Sequence, residues 1–215
     1  MLKNTLIIVI LILSSVSAFL NVRFYTTIKD ANKVVEVVDG DTFQLQSGKR
    51  VRLMGVDAPE FDRCGGSEAR KKLTALILNK TVTLTEEVSE AYGRSLALVF
   101  ADGKFVNKII LESGWGRTDY RKNSKREELT AVFHLAQAKK LGIFSKLCRE
   151  ETTKTEGNCL IKGNIDKATY KKYYHLPNCK QYNQIILEKD IGERYFCTEA
   201  EAQKAGFSKS AGCPN

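Results

Sequence analysis

The stretch from Val34 to Glu60, VVEVVDGDTFQLQSGKRVRLMGVDAPE, constrains this chain most. β-Branched and aromatic residues dominate Val34 to Val38, Thr42 to Gln46 and Val51 to Met54, and the turn signals Asp39-Gly40-Asp41 and Ser47-Gly48-Lys49 separate them. That pattern reads as a three-stranded meander. On the third strand the two-residue period puts Val51 and Leu53 on one face and Arg50 and Arg52 on the other. Arg52 is thus held by a strand without having to enter the core. At that strand's end, Val56-Asp57-Ala58-Pro59-Glu60 sets two carboxylates three residues apart around a proline whose ring fixes φ, so the turn can aim oxygens at a common point. Asp41, Arg52, Asp57 and Glu60 are therefore candidate acid or phosphate-binding groups. The bland alternative is that Asp-Gly turns and solvated charges are ordinary hairpin residues.

Upstream, Met-Leu-Lys, the apolar run Leu6 to Leu13 and the small residues Ser15-Val16-Ser17-Ala18 read as a secretory signal, residues 1–18, cut after Ala18. Continuation through Phe19 and Leu20 leaves an uncleaved membrane anchor as the alternative. Either way the folded part is expected outside the cytoplasm, secreted or on the cell surface or in the periplasm. The net charge is +9. Its excess lies early: the first 150 residues hold 24 Lys and Arg against 17 Asp and Glu, and the remaining 65 hold 10 against 8. A basic first portion favours an anionic partner such as nucleic acid or a membrane surface.

After Glu60 a short loop leads to Ser67, a candidate N-cap, and to Ala69, Leu73, Leu76 and Ile77 at helical spacing. Thr81 to Thr85 and Leu96 to Phe100 read as two more strands around a polar turn at Glu86 to Ala91. A helix from Phe105 to Gly114 and another from about Glu127 to Leu141 follow. The chain is expected to be mainly β with α. Five strands with one helix after the third is the arrangement of an OB-type barrel, whose closure removes exposed edges and which often binds oligonucleotides. Three helices accompany it. Such a fold does not by itself cleave anything.

Asp39-Gly40-Asp41-Thr42, Arg52-Leu53, Val56-Asp57-Ala58-Pro59-Glu60 and Tyr92-Gly93-Arg94, in this order and near these spacings, resemble the thermonuclease (staphylococcal nuclease-like) family. The likeness runs from about Lys33 to Cys148 and extends to Ala101-Asp102-Gly103-Lys104, Val106-Asn107 and Ala136-Gln137-Ala138-Lys139-Lys140. It implies a calcium-dependent phosphodiesterase acting on DNA and RNA, a monomer with no obligate protein partner. Asp41, Asp57 and the carbonyl of Ala58 would be Ca2+ ligands, and Arg52, Glu60 and Arg94 catalytic. Tyr92 and Tyr120 are candidate substrate contacts. Ala58 stands where Thr is common, Ala91 where Lys is frequent, and the loop Phe61 to Gly66 is short. These departures touch substrate affinity and preference. The rival reading is an OB-fold protein at the cell surface that binds nucleic acid without cutting it. Trp115 and Tyr120, near Arg117, Arg121 and Lys122, are either a basic aromatic lip for bases or, for Trp115, core. His134 is expected to pack. The two histidines, His134 and His175, are too far apart in sequence and context for a histidine-based nuclease.

Residues 33–148 thus form one expected domain, 149–158 a polar linker, and 159–215 a small cysteine-rich C-terminal module. Cys159, Cys179, Cys197 and Cys213 lie in a segment too short to hold itself by apolar burial alone. Two disulfides are expected, with three pairings open. A zinc site of His175, Cys179, Cys197 and Cys213 is the alternative. Cys64 and Cys148 either pair with each other or stay free.

Overall fold

The computed structural model describes residues 2–90, 93–119, 121–153 and 157–214, apart from the side chains of 2–9 and 24–30. Ala91, Tyr92 and Tyr120 lie outside the described residues.

Helix α1 (Leu2–Ala31) covers the expected signal segment and runs on past it. Its side chains from Ile10 to Arg23 are exposed. Among the described residues no helix is long and apolar enough to cross a membrane. Strands β1 (Val34–Val37), β2 (Thr42–Leu45) and β3 (Arg50–Leu53) form the expected antiparallel meander. On β3, Val51 and Leu53 are buried and Arg50 and Arg52 are not, as the two-residue period requires. Helix α2 (Gly66–Ile77) starts one residue before Ser67, with Gly65 at its N-cap and no side-chain cap. It buries Gly66, Ala69, Leu73 and Ile77, a single face at three- and four-residue steps.

Strand β4 (Val82–Ser89) continues through most of the expected polar turn, because a register shift between Thr85 and Val88, with Glu86 at φ 51°, lets pairing resume. Strand β5 (Arg94–Ala101) pairs antiparallel with β4 and parallel with β3. Strand β6 (Lys104–Phe105) turns back on β5 and leads into α3 (Val106–Glu112), and α4 (Arg126–Ala138) packs on α3. The sheet runs β1-β2-β3-β5-β4 with β6 on β5. Among the described residues its ends β1 and β4 are not paired strand to strand; a bridge between Lys33 and Thr81 and hydrogen bonds such as Val34 N–H to Lys80 O at 2.8 Å join them. The expected barrel is thus a mixed sheet that is not closed by continuous pairing. Five α-helices are present among the described residues instead of three, α1 and α5 being the additions.

One apolar cluster fills the space between sheet and helices, from Val34, Phe43 and Leu53 to Ile110 and Leu129, and Trp115 packs against it. Trp115 is therefore a core-edge residue and not a lip for bases. His134 is exposed, where packing was expected. Asn107, fully buried, ties the site-bearing strands together: its Oδ1 accepts Val99 N–H at 2.8 Å, and its Nδ2 donates to Met54 O at 2.8 Å and Ala97 O at 3.2 Å.

Beyond α4, strand β7 (Arg149–Glu150) opens the stretch expected as a linker. Strands β8 (Ile161–Ile165) and β9 (Lys172–His175) form a hairpin, and β10 (Leu187–Glu188) pairs back onto β7. Strand β11 (Arg194–Phe196) flanks β8, helix α5 (Glu199–Lys204) follows, and β12 (Ser208–Lys209) flanks β9. Disulfides join Cys64 to Cys148, Cys159 to Cys197 and Cys179 to Cys213. The first tethers the loop after Glu60 to the end of the helical region. The other two take all three cysteines, Cys179, Cys197 and Cys213, that the zinc alternative would have needed.

Candidate active site

The turn at Asp39 organises the site locally. Asp39 Oδ1 accepts the N–H of Asp41 at 3.0 Å and of Thr42 at 2.7 Å, which fixes the bend between β1 and β2. Gly40 lets that bend lie against its neighbours, since a Cβ there would stand 2.5 Å from the Ala69 and 2.6 Å from the Ala58 methyl carbon. Asp41 is thereby pressed onto the loop that carries Asp57 and Ala58. Its Oδ1 accepts from the Thr42 hydroxyl at 2.8 Å and its Oδ2 from Ala58 N–H at 2.9 Å.

Arg52 reaches the same point from β3. Its Nη2 stands 2.9 Å from Asp41 Oδ2 and 2.6 Å from Asp57 Oδ1. Asp41 is buried and Asp57 is exposed, so the cluster runs from the protein interior to solvent. Burial pushes the Asp41 carboxyl up to about 7, against the lowering pull of Arg52. Burial disfavours the Arg52 cation, but Asp41 and Asp57 outweigh it and hold its pKa above the ordinary value. Arg52 Nε is buried without a hydrogen-bond partner. Two carboxylate oxygens that converge on one cationic atom are a hard, oxygen-only donor set, and such a set fits calcium.

Glu60 is exposed and lines a small cavity with Asp57, Ala58, Arg63, Arg117 and Asp190. Arg94 begins β5 beside Arg50 in the parallel register. Its Nε and Nη2 lie 3.1 and 2.8 Å from Glu90 Oε2, while Glu90 Oε1 accepts from Arg121 Nη2 at 2.8 Å. Arg121 lines a second cavity, of about 360 Å3, with Arg52, Asp57, Thr118, Asp119 and Tyr170. Asp41, Arg52, Asp57 and Ala58 are thus in direct contact, Glu60 adjoins them, and Arg94 is linked to the cleft through Glu90 and Arg121. Tyr92 and Tyr120 lie outside the described residues.

Glu90 was not among the expected site residues, because a lone Glu in a polar turn carries no signal until the strands bring two arginines to it. Arg117 does not form the expected nucleic-acid lip. Its backbone pairs with Asp57 through two hydrogen bonds of 2.8 Å, and its side chain turns to the C-terminal segment, 2.9 Å from Glu188 Oε2 and 2.7 Å from Asp190 Oδ2. Arg149 and Lys167 also contact Glu188, at 3.1 and 2.7 Å. Glu188 and Asp190 are buried, and the cations hold the Glu188 carboxyl below its ordinary range against the raising effect of burial. The only advance hint was charge: Glu188, Asp190 and Glu193 cluster in sequence downstream of a basic first portion.

The family described as Staphylococcal nuclease homologue matches residues 50–146. Arg52, Asp57, Ala58, Glu60 and Arg94 fall inside that match and Asp41 lies just before it. An Escherichia coli O157:H7 protein described as an uncharacterized endonuclease is 32% identical over 117 residues, 53% of this chain and 76% of its own length. A micrococcal nuclease of Shigella flexneri is 31% identical over 127 residues, covering 53% of this chain and 72% of its own. A staphylococcal-like nuclease of Arabidopsis thaliana is 31% identical over 98 residues, 45% of this chain and 29% of its own. The strand order and helix placement fit the OB-type fold of this family. Shared sequence over the very segment that carries the arginine and carboxylate cluster means that the chain belongs to the staphylococcal nuclease homologues and is a nuclease, a hydrolase of nucleic acids.

Proposed function

We propose that this protein is a calcium-dependent phosphodiesterase that cleaves DNA and RNA at the cleft between Arg52, Asp57 and Arg121. The observation that carries the reading is the single contact point of Arg52 Nη2 with Asp41 and Asp57. Asp41, Asp57 and the carbonyl of Ala58 would hold the calcium ion. Bound there, calcium would supply positive charge beside the phosphate. With so few protein ligands its affinity should be weak, roughly 0.1–1 mM.

Arg52 and Arg94 offer planar forks that bond phosphate oxygens more strongly as negative charge grows in the transition state. Glu60 orients the attacking water and accepts its proton. The water oxygen forms the new bond to phosphorus, and the ester bond breaks with its electron pair on the leaving oxygen, which solvent protonates. Glu90, held between Arg94 and Arg121, is the carboxylate that a substrate phosphate would displace from Arg94.

Export is part of the same reading. Three disulfides suit an oxidising compartment, and cleavage after Ala18 would leave 33–148 as the catalytic unit and 159–215 as the module docked on it. Cleavage of single-stranded DNA and RNA by the purified mature protein, assayed with calcium and with excess chelator, tests the proposal. Full activity in chelator would refute calcium dependence. Oligonucleotide binding without cleavage would favour the non-catalytic reading.

A further inference from the structure

The hairpin loop between β8 and β9 places one aromatic side chain where the nuclease cleft opens. Asp166 closes that loop: its Oδ1 accepts the N–H of Ala168 at 2.9 Å and of Thr169 at 2.8 Å, and its carbonyl accepts Tyr170 N–H at 2.7 Å. Tyr170 itself sits at φ 56°, in the left-handed region that few aromatic residues adopt. Tyr170 is 76% exposed. The loop thus holds a large apolar surface in solvent when a smaller residue would fit the backbone better.

We propose that Tyr170 is a nucleobase-stacking platform, so that single-stranded substrate is bound between the nuclease portion and the C-terminal segment. Three observations support it. The first is position: Tyr170 shares the cavity of about 360 Å3 with Arg52, Asp57 and Arg121, a volume in the range of roughly 300–1,000 Å3 for small-ligand sites. The second is chemistry. A single strand is gripped where cations meet the phosphates and an aromatic face meets a base, and Arg52 and Arg121 line the same cavity as Tyr170. The third is rigidity. Lys167, in the same loop, contacts Glu188 at 2.7 Å, and Glu188 contacts Arg117, whose backbone is paired with Asp57. The ring and the proposed metal-binding loop are held in one frame. An unpaired base is required, because in a duplex both faces of each base are already stacked.

The inference rests on the nuclease reading of the same cleft, and its test separates the two. In the full mature chain, Tyr170→Asn keeps a residue suited to the left-handed backbone and removes the ring. On a single-stranded oligodeoxynucleotide it should raise KM about tenfold with kcat unchanged, whereas Tyr170→Phe and Tyr170→Trp should keep the wild-type KM. The tenfold difference should vanish on an oligonucleotide with an abasic residue at the stacked position. A non-cleavable phosphorothioate oligonucleotide carrying 2-aminopurine should lose fluorescence on binding the wild type and keep it with Tyr170→Asn. A Tyr170→Asn protein with wild-type KM and wild-type quenching overturns the proposal, as does an equal rise of KM in Tyr170→Phe. A wild-type chain that quenches 2-aminopurine but never cuts refutes the nuclease reading and leaves the stacking site standing.

Discussion

The nuclease portion and the C-terminal segment are held together by different physics. In the first, 18 buried apolar residues form one cluster between sheet and helices, and among the described residues the buried polar side chains are Asp41, Thr42 and Asn107, all at the site or bracing its strands. In the second the apolar cluster has 5 residues, two disulfides cross it, and Lys162, His175, Glu188, Asp190 and Glu193 are buried. Each fully buried aliphatic or Phe side chain stabilises by about 1.5–3 kcal/mol, so the first portion has ample driving force of its own and the second has little. The segment compensates by cross-links and by docking its acids onto Arg117 and Arg149. It is therefore a part of the nuclease surface and not a free appendix.

The sharpest separation of the two regions is chemical. Arg52→Lys keeps the charge and loses the planar fork. Removal of a preorganised transition-state donor commonly costs about 100- to 1,000-fold in rate, so kcat should fall by that order while oligonucleotide affinity changes far less. Single-turnover cleavage with a parallel binding titration measures both. Near wild-type rates would take Arg52 out of the chemistry.

Next in size is the dock. Arg117→Met leaves Glu188 and Asp190 buried with a cation missing, and breaking such a pair commonly costs about 3–5 kcal/mol; Arg149 and Lys167 remain to soften it, so about 3 kcal/mol is expected. Urea unfolding followed by hydrogen exchange at β7 and β10 reads the loss. If the amides of β10 stay as protected as in the wild type, the ion cluster does not hold the segment.

The effects so far depend on residues of very unequal legibility. Asp41, Arg52 and Asp57 could be found because each lies within a few residues of a turn or strand whose period is written locally, and Arg52's face follows from Val51 and Leu53 alone. The burial of β3 repeats that alternation. The extension of β4 past Glu86 was hidden, because a polar run reads as a turn until a bulge restores its register. Arg117 meets Asp190 across 73 residues of sequence, and Tyr170 meets the cleft only after the β8–β9 hairpin and the dock have both formed. Neither has a local pattern. Likewise Arg149 and Glu150 look like linker until β10 is present to pair with them. The catalytic candidates were thus readable where structure is local, and the closure of the cleft was not, because it depends on the docking of two regions.

Removing the Cys159–Cys197 bridge tests how far the segment relies on cross-links. The two cysteines lie 38 residues apart, and a disulfide closing such a loop typically stabilises by about 2–4 kcal/mol. Cys159→Ser with Cys197→Ser should unfold the segment at lower urea while kcat on a short oligonucleotide persists and KM rises, since Tyr170 is no longer held at the cleft. Loss of all cleavage with loss of nuclease-core folding would show that the first portion cannot stand without the second.

The smallest expected effect, and the most local, is at His175. It is buried, its Nε2 lies 3.0 Å from Asn164 Oδ1, and its Nδ1 has no hydrogen-bond partner. With Nε2–H donating to the Asn164 oxygen, the charged form needs a proton on the buried Nδ1. Burial therefore pushes the His175 pKa down, and the nearby Lys162 cation pushes it further. In the unfolded chain the group titrates near 6.5. Between that value and the lower folded one, the unfolded chain binds more protons. The stability linked to His175 is thus fully present above about 6.5 and is lost as pH falls through that window, at up to about 1.4 kcal/mol per pH unit. Burial lowers the Lys162 pKa as well. Hydrogen exchange at the amides of β8 and β9, compared between pH 7.5 and pH 5.5 in wild type and His175→Gln, isolates the term. The wild type should lose protection at the lower pH and the variant should lose less. Equal losses would take His175 out of the acid response of the segment.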